Sequence, residues 1–261
     1  SIDHKWAVHH KAKIQDIPIV VASRDTYGSR VFNKECIAAL KIDVCAIDEL
    51  QLGVSGTTYK RLVNDNLDKV VIGLTATPSR AGGLGFGPPY QEIITGGTHE
   101  ELLREGFIVE PVCYGPRTVD MKGVKISRST GEYVVSQAEE RWNKEELIGD
   151  LIRDWRKYGE DRPTIVYASS VEHSKHIAAN FCGHGVSAVH LDAELPLNER
   201  KKVFRDLATG GVKVLTNFGI ARVGVDIPEV GCGVLACSMA SINPYLQSTG
   251  RLIRGCKSVY W

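Results

Sequence analysis

The chain has 261 residues, of which 43% are hydrophobic and 24% are charged, and its formal net charge is +1. This composition is typical of a globular protein large enough for two domains, and the charge argues against a polybasic tail. No apolar run approaches the roughly 18 residues that a membrane-spanning helix needs. The seven cysteines include no Cys-x-x-Cys pair, so a reduced, cytoplasmic protein is expected.

The first candidate strand, residues 17–22, ends in the polar stretch Ser23-Arg-Asp-Thr-Tyr-Gly-Ser-Arg30. Hydroxyls and an arginine just past a strand can contact a phosphodiester backbone without reading bases. Ser23, Thr26 and Arg30 are therefore candidate nucleic-acid contacts. The alternative is a capped helix start with a solvated arginine. With either interpretation, a helix over residues 33–40 is predicted next.

The next strand, Val44-Cys-Ala-Ile47, is predicted to be buried and stops at Asp48-Glu49. Carboxylates at the carboxyl end of a parallel strand lie where open α/β sheets bind their ligands. Such a pair needs a cation or hydrogen bonds to compensate its burial. We expect Asp48 to hold Mg²⁺ and Glu49 to orient and activate a water for attack on a phosphate.

A further strand over residues 69–74 ends in Thr75-Ala-Thr-Pro-Ser-Arg80. Small hydroxyl residues here can hydrogen-bond the carboxylates and exchange partners when a nucleotide changes. The glycine-rich stretch over residues 81–89 lacks the Gly-Lys-Ser/Thr ending of a phosphate-binding loop, so we interpret it as a surface loop.

The second half alternates strands with helices, which predicts a parallel sheet with crossover helices. Ser169 follows the strand over residues 164–168 and stands at a helix entry. The paired spacing of zinc ligands is absent from the set His173, His176, Cys182, His184 and His190, so surface histidines are expected instead of a structural metal. The remaining predicted elements are helices over 100–109, 142–158 and 197–207 and strands over 108–114, 187–191, 212–217 and 233–237, with a connection over 122–139.

The last fifty residues carry the most specific patterns. Leu215-Thr-Asn-Phe-Gly-Ile-Ala-Arg-Val-Gly-Val-Asp-Ile-Pro228 and Gln247-Ser-Thr-Gly-Arg-Leu-Ile-Arg254 follow each other. With Asp48-Glu49 and Thr75-Ala-Thr-Pro, they resemble motifs V, VI, II and III of superfamily 2 helicases and translocases. The nearest pattern is that of the restriction-type and phage-type branch.

The resemblance implies an α/β fold of two RecA-like lobes with parallel sheets, the first lobe incomplete. The implied division is 1–115 for the first lobe, 116–160 for a connection and 161–261 for the second lobe. ATP and Mg²⁺ are the implied cofactors, and nucleic acid, DNA more than RNA, is the implied partner.

Residue roles follow from the same resemblance. Gln247, Arg251 and Arg254 would act in catalysis with Asp48 and Glu49, the two arginines from one helix face. The remaining implied roles are coupling for Gln51, Thr75 and Thr77, contact with the nucleotide's sugar end for Gly224 and Asp226, and contact with the bound strand for Ser169 and Thr216.

Two departures from the family pattern affect what we expect of activity. Position 51 is Gln where the family often has His or Asp, and no Gly-x-x-x-x-Gly-Lys-Ser/Thr occurs in the 261 residues. We therefore expect either a fragment of a longer motor, which is not active by itself, or a natural remnant of one. The alternatives are a catalytically silent nucleic-acid-binding or partner-binding module of the same fold, and the motor part of a restriction endonuclease subunit.

Overall fold

The computed structural model describes residues 19, 21–23, 27, 43–52, 57–66, 68–78, 85–86, 90–115, 119–128, 130–191, 194–219, 227 and 229–254. The chain forms two compact units, residues 1–94 and 95–261. The described residues between 95 and 160 therefore belong to the second unit. The predicted division into a first lobe, a connection and a second lobe, with boundaries at residues 115 and 160, stays a prediction. The predicted strand over 17–22 and helix over 33–40 lie largely or wholly outside the described residues.

The first unit contains a parallel pair of strands, β1 (Val44–Ile47) and β2 (Val70–Gly73). A 3-10 helix (Leu50–Leu52) follows β1, and helix α1 (Thr57–Asn64) provides the crossover that parallel strands require. Only Ile47 of β1 is buried, whereas Val44 is 53% exposed. The prediction of a fully buried strand is therefore wrong for its first residues, while the parallel pairing is as predicted.

The second unit contains a parallel sheet of four strands, which are β3 (Thr164–Ala168), β4 (Ala188–Leu191), β5 (Val214–Asn217) and β6 (Cys232–Ala236). Their order is β4-β5-β3-β6. Every residue of β3 and β5 is buried, as expected for central strands covered on both faces. After β3 the chain forms β4 and β5 on one side of that strand and then β6 on its other side. The strand order therefore reverses beside β3, and open α/β sheets bind ligands in the crevice at such a point.

The helices of the second unit are α2 (His99–Arg104), α3 (Val135–Trp142), α4 (Glu145–Tyr158), α5 (Val171–Gly183), α6 (Leu197–Ala208) and α7 (Ile242–Leu252). The predicted helix over 142–158 is α4, which begins three residues later at Glu145, and helix α3 lies mostly within the predicted connection over 122–139. The predicted strand over 108–114 is absent; in its place Ile108 forms an isolated antiparallel bridge with Arg254. No helix within the described ranges has the length and apolar character to cross a bilayer.

Two hydrophobic clusters cover the two faces of this sheet, because successive side chains of a strand point to opposite sides. Ile165 and Tyr167 belong to one cluster, and Val166 and Ala168 to the other. The apolar stripe of α4 packs into the second cluster through its buried residues Ile148, Ile152 and Trp155. This confirms the interpretation of that stripe as core.

Helix α7 lies directly against β6. A Cβ atom built on Gly233 would be 2.0 Å from Leu252 Cδ1, and Leu252 is fully buried. Only glycine leaves room for this contact. Strand β6 therefore sets how closely the helix that carries the Gln247 motif approaches the sheet.

Candidate functional site

The two carboxylates after β1 lie in a turn whose backbone is unusual. Glu49 has φ +51°, in the left-handed region that residues other than glycine seldom occupy. Its amide N–H donates to Asp48 Oδ1 at 2.9 Å, and its Oε2 accepts from Gln51 Nε2 at 2.5 Å. Conformations of this kind persist only where surrounding bonds fix them, and they cluster at functional sites.

Asp48 fits the expected role of a Mg²⁺ ligand. Its side chain is exposed, and its Oδ1 accepts from the neighbouring amide N–H of Glu49. No group of three or more metal-ligating side chains occurs within the described ranges. Mg²⁺ typically keeps waters and binds through one or two carboxylates together with substrate phosphates.

Gln51 connects Glu49 to the end of the next strand. Its Oε1 accepts from the Thr75 hydroxyl at 2.5 Å, while its Nε2 donates to Glu49. The same hydroxyl lies 3.0 Å from the carbonyl oxygen of Thr77, and it accepts from the Thr77 amide N–H at 3.0 Å. Because a hydroxyl has one proton, Thr75 can donate to Gln51 or to Thr77 but not to both. The structure thus brings the three predicted coupling residues together.

The arginine motif is divided between α7 and the residues after it. Gln247 and Arg251 are four residues apart within α7 and share a face. Arg254 lies beyond the end of the helix, in the bridge to Ile108. The expectation that Arg251 and Arg254 share one helix face is therefore wrong, because α7 ends at Leu252.

Both ends of α7 are held by earlier residues of the second unit. At the carboxyl end, the Val109 amide N–H donates to the Ile253 carbonyl at 2.9 Å. At the amino end, the Glu132 carboxylate accepts from the amide N–H groups of Ala240 and Ser241 at 3.0 and 3.2 Å. No local sequence pattern marks Glu132 as a functional residue, since its partners are more than a hundred residues away.

Ser169 and His173 form a buried pair at the carboxyl end of β3. Ser169 Oγ lies 2.8 Å from His173 Nδ1, and the Ser169 amide N–H donates to the same nitrogen at 3.3 Å. Nδ1 is therefore the acceptor. Burial lowers the pKa of His173 to about 4, so the ring is neutral at physiological pH. The expectation of a surface histidine is wrong here, because His173 is only 1% exposed.

A second buried cluster joins three elements of the sheet layer. Ser174 Oγ lies 2.7 Å from His190 Nδ1 and donates to Thr216 Oγ1 at 3.0 Å. The Thr216 hydroxyl in turn donates to the Ser174 carbonyl at 2.8 Å. Thr216 is fully buried and Ser169 is 5% exposed, which corrects the expectation that these hydroxyls contact the phosphates of a bound strand. Both hydroxyls instead fix helix α5 against the sheet.

The other candidates divide between exposed and undescribed positions. Ser23 is exposed, and its carbonyl accepts from the Tyr27 amide N–H at 2.9 Å. Gly224, Asp226, Thr26 and Arg30 lie outside the described residues. The histidines weighed as zinc ligands bond elsewhere: besides His173 and His190, His176 Nδ1 pairs with Asn143 Oδ1 and His184 Nδ1 with the Asn180 carbonyl, both at 2.8 Å.

The chain is similar to several known proteins. Residues 143–256 match the helicase conserved C-terminal domain. A 51.5 kDa protein of a Lactococcus phage (isolate 7-9) is 32% identical over 242 residues, which are 93% of this chain and 52% of that protein. Nucleolar RNA helicase 2 of Rattus norvegicus is 28% identical over 105 residues, 40% of this chain and 13% of that protein.

Among solved structures, the C-terminal domain of the DEAD-box protein Dbp5 matches with a TM-score of 0.40 at 23% identity, over 45% of this chain and 69% of that one. The chain spans about half the length of the phage protein and a smaller part of the helicase. The helicase C-terminal domain covers the β3–β6 sheet and helix α7. The chain thus contains a helicase conserved C-terminal domain, and over most of its length it is similar to a phage protein.

Proposed function

We propose that this chain is the core of a nucleic-acid-dependent ATPase that acts as a helicase or translocase within a longer protein. The observation that carries the proposal is the hydrogen-bonded series from Glu49 through Gln51 to Thr75. It connects a predicted catalytic carboxylate to a hydroxyl with two alternative acceptors. Because this hydroxyl can change acceptors, a change at the Glu49 carboxylate can alter the hydrogen bonds at the end of β2.

Each side chain has a defined part in the proposed hydrolysis. Asp48 would hold Mg²⁺, which supplies charge neutralisation at the phosphate oxygens when bound. Glu49 would orient the attacking water through the carboxylate that Gln51 fixes. Arg251 and Arg254 would stabilise the negative charge that develops on the transferred phosphoryl group, a task for which planar guanidinium groups are suited. Gly224 and Asp226 would contact the sugar end of the nucleotide.

The 261 residues lack the glycine-rich loop and lysine that cradle the β- and γ-phosphates in P-loop ATPases. We propose that this polypeptide alone binds ATP weakly and hydrolyses it at the background rate. DNA is the proposed partner, bound through its phosphates in a way that does not depend on base sequence.

The test is ATP hydrolysis by the longer parent protein, with and without single-stranded DNA or RNA of the same sequence. Stimulation by nucleic acid is expected, and Glu49→Gln should abolish it. Glu92→Gln makes the same change at an exposed residue of the first unit and should leave the rate unchanged. If nucleic acid does not stimulate ATP hydrolysis by the parent protein, the alternative of a catalytically silent binding module is favoured. Glu49-dependent hydrolysis by the 261 residues alone would contradict the proposed inactivity of this polypeptide.

A further inference from the structure

Glu132 links a distant segment of the second unit to the start of helix α7. Its Oε2 accepts from the Ala240 amide N–H, and its Oε1 accepts from both the amide N–H and the hydroxyl of Ser241. These donors lie 108 and 109 residues further along the chain. They lead directly into the helix that carries Gln247 and Arg251.

The carboxylate replaces the local cap that α7 lacks. Ser241 is the N-cap residue with extended backbone, but its side chain makes no capping bond to the helix. Its hydroxyl donates to Glu132 instead. A negative charge at this end is favourable because unpaired N–H groups and the helix dipole make it positive. The place where α7 begins therefore depends on where Glu132 is held.

Glu132 is itself held in a short hairpin. Its carbonyl accepts from the Ser127 amide N–H at 2.8 Å, and Ile126 bridges Tyr133 in antiparallel fashion. A second bond supports the same region, since Trp142 Nε1 donates to Ser238 Oγ at 3.2 Å. The hairpin and helix α3 thus contact the segment between β6 and α7 at two points.

We propose that Glu132 is a positioning residue for the arginine helix: it sets the placement of Arg251, and of Arg254 beyond it, for transition-state stabilisation. This rests on the proposed ATPase function. The argument is that three hydrogen bonds to one charged group, which are stronger than bonds between neutral groups, fix the helix start from outside the local sequence. Loss of the carboxylate should shift the guanidinium groups while leaving them on the surface of the same fold.

The test uses Glu132→Gln with Glu140→Gln as the matched control, because Glu140 is an exposed glutamate of α3. In the parent protein, Glu132→Gln should lower nucleic-acid-stimulated kcat roughly tenfold or more with little change in the KM for ATP. Ser241→Ala, which removes only the hydroxyl donor, should lower kcat less. In the 261-residue chain, amide hydrogen exchange in α7 should become roughly tenfold faster in Glu132→Gln and stay unchanged in the control.

A rescue variant separates positioning from simple stabilisation. Adding Ser241→Asp to Glu132→Gln supplies a local cap, since Asp is a preferred N-cap residue. It should restore slow exchange in α7 without restoring kcat. If it restored both, or if Glu132→Gln left kcat unchanged, the positioning role would be overturned. If nucleic acid does not stimulate ATP hydrolysis by the parent protein, both the proposed function and this role of Glu132 are refuted. If amide hydrogen exchange in α7 is unchanged in Glu132→Gln, only the Glu132 contact is refuted.

Discussion

The Thr75 hydroxyl lies 2.5 Å from Gln51 Oε1 and joins the carboxyl ends of the two parallel strands of the first unit. Gln51 in turn donates to Glu49, so the orientation of the carboxylate depends on a bond made one strand away. In this chain, Gln at position 51 is sufficient to connect the two strand ends. A side chain with both a donor and an acceptor is what that position requires.

Thr75→Val should therefore slow hydrolysis in the parent protein. Valine keeps the shape of threonine but leaves Gln51 Oε1 and the Thr77 amide N–H without their partner. The net value of a hydrogen bond predicts a loss of about threefold to tenfold in single-turnover rate, with ATP affinity retained. Thr209→Val, at an exposed helix end, is the control. Equal rates for the two variants would disprove the coupling role of Thr75.

Arg254→Ala in the parent should lower kcat by about 10³-fold or more, as expected for a residue that stabilises charge in phosphoryl transfer. Ground-state affinity for ATP should change little, because this charge develops only in the transition state. Glu49→Gln should likewise stop hydrolysis with nucleotide still bound, whereas Asp48→Ala should lose Mg²⁺ and nucleotide together. ATP titrations and single-turnover assays measure both quantities.

Arg104→Ala, which removes an exposed arginine of α2, serves as the control for that series. It should leave both affinity and rate unchanged. An Arg254→Ala protein that lost affinity and rate in equal proportion would show that Arg254 binds the ground state instead.

Gly233→Ala should destabilise the second unit by about 1–3 kcal/mol, because the added methyl group overlaps the fully buried Leu252 side chain, which must shift. Gly149→Ala is the contrasting variant: nothing lies within 4 Å of its Cβ position in α4. It should stabilise by up to about 1 kcal/mol through helix propensity. Urea unfolding measures both, and adding Leu252→Val to Gly233→Ala should recover part of the loss.

The stability of the second unit should fall with acid because of His173. Its pKa is lowered from 6.5 to about 4 by burial, so between these values the unfolded chain binds a proton that the folded chain does not. This stability is fully present above pH 6.5 and is lost as the pH falls towards 4, by about 3 kcal/mol at most. Urea midpoints at pH 7 and pH 5 should differ less for His173→Gln than for the exposed-residue variant His184→Gln. The same pH dependence in both variants would exclude His173 as its source.

Binding of nucleic acid by the parent should weaken with salt and be insensitive to sequence. If Arg30 contacts a phosphate, Arg30→Ala should reduce the slope of log K against log salt by about 0.7–0.9. Affinity should fall alike for unrelated sequences of equal length. A loss confined to one base sequence would mean that Arg30 reads bases.

The sequence predicted those structural features that depend on a local pattern of apolar and polar residues. The parallel strand that ends at Asp48, the apolar stripe of α4 and the alternation around β3 all follow from periodicity and from where apolar runs stop. The coupling roles of Gln51 and Thr75 came from the family resemblance, and the Thr75 hydroxyl was expected to bond a carboxylate; its bond to Gln51 is seen only in the structure.

The sequence failed where a residue's environment is set by distant parts of the chain. Thr216 and His173 carry polar groups that suggest a surface, yet helix α5 buries both against the sheet. Helix α3 begins within the stretch that was predicted to be a connection, where the weak pattern gave no sign of a helix. Glu132 lies in a polar stretch without periodicity, and only the folded structure brings it to Ser241.

Ile108 and Val109 contact the residues after α7, so a stable fragment of the second unit must include them. A polypeptide cut to the family boundaries, residues 143–256, would contain the whole sheet but neither Val109 nor Glu132. Its last helix would then fray from both ends and become a site for proteolytic nicking. A second-unit fragment for expression should therefore start near residue 95, where that unit begins.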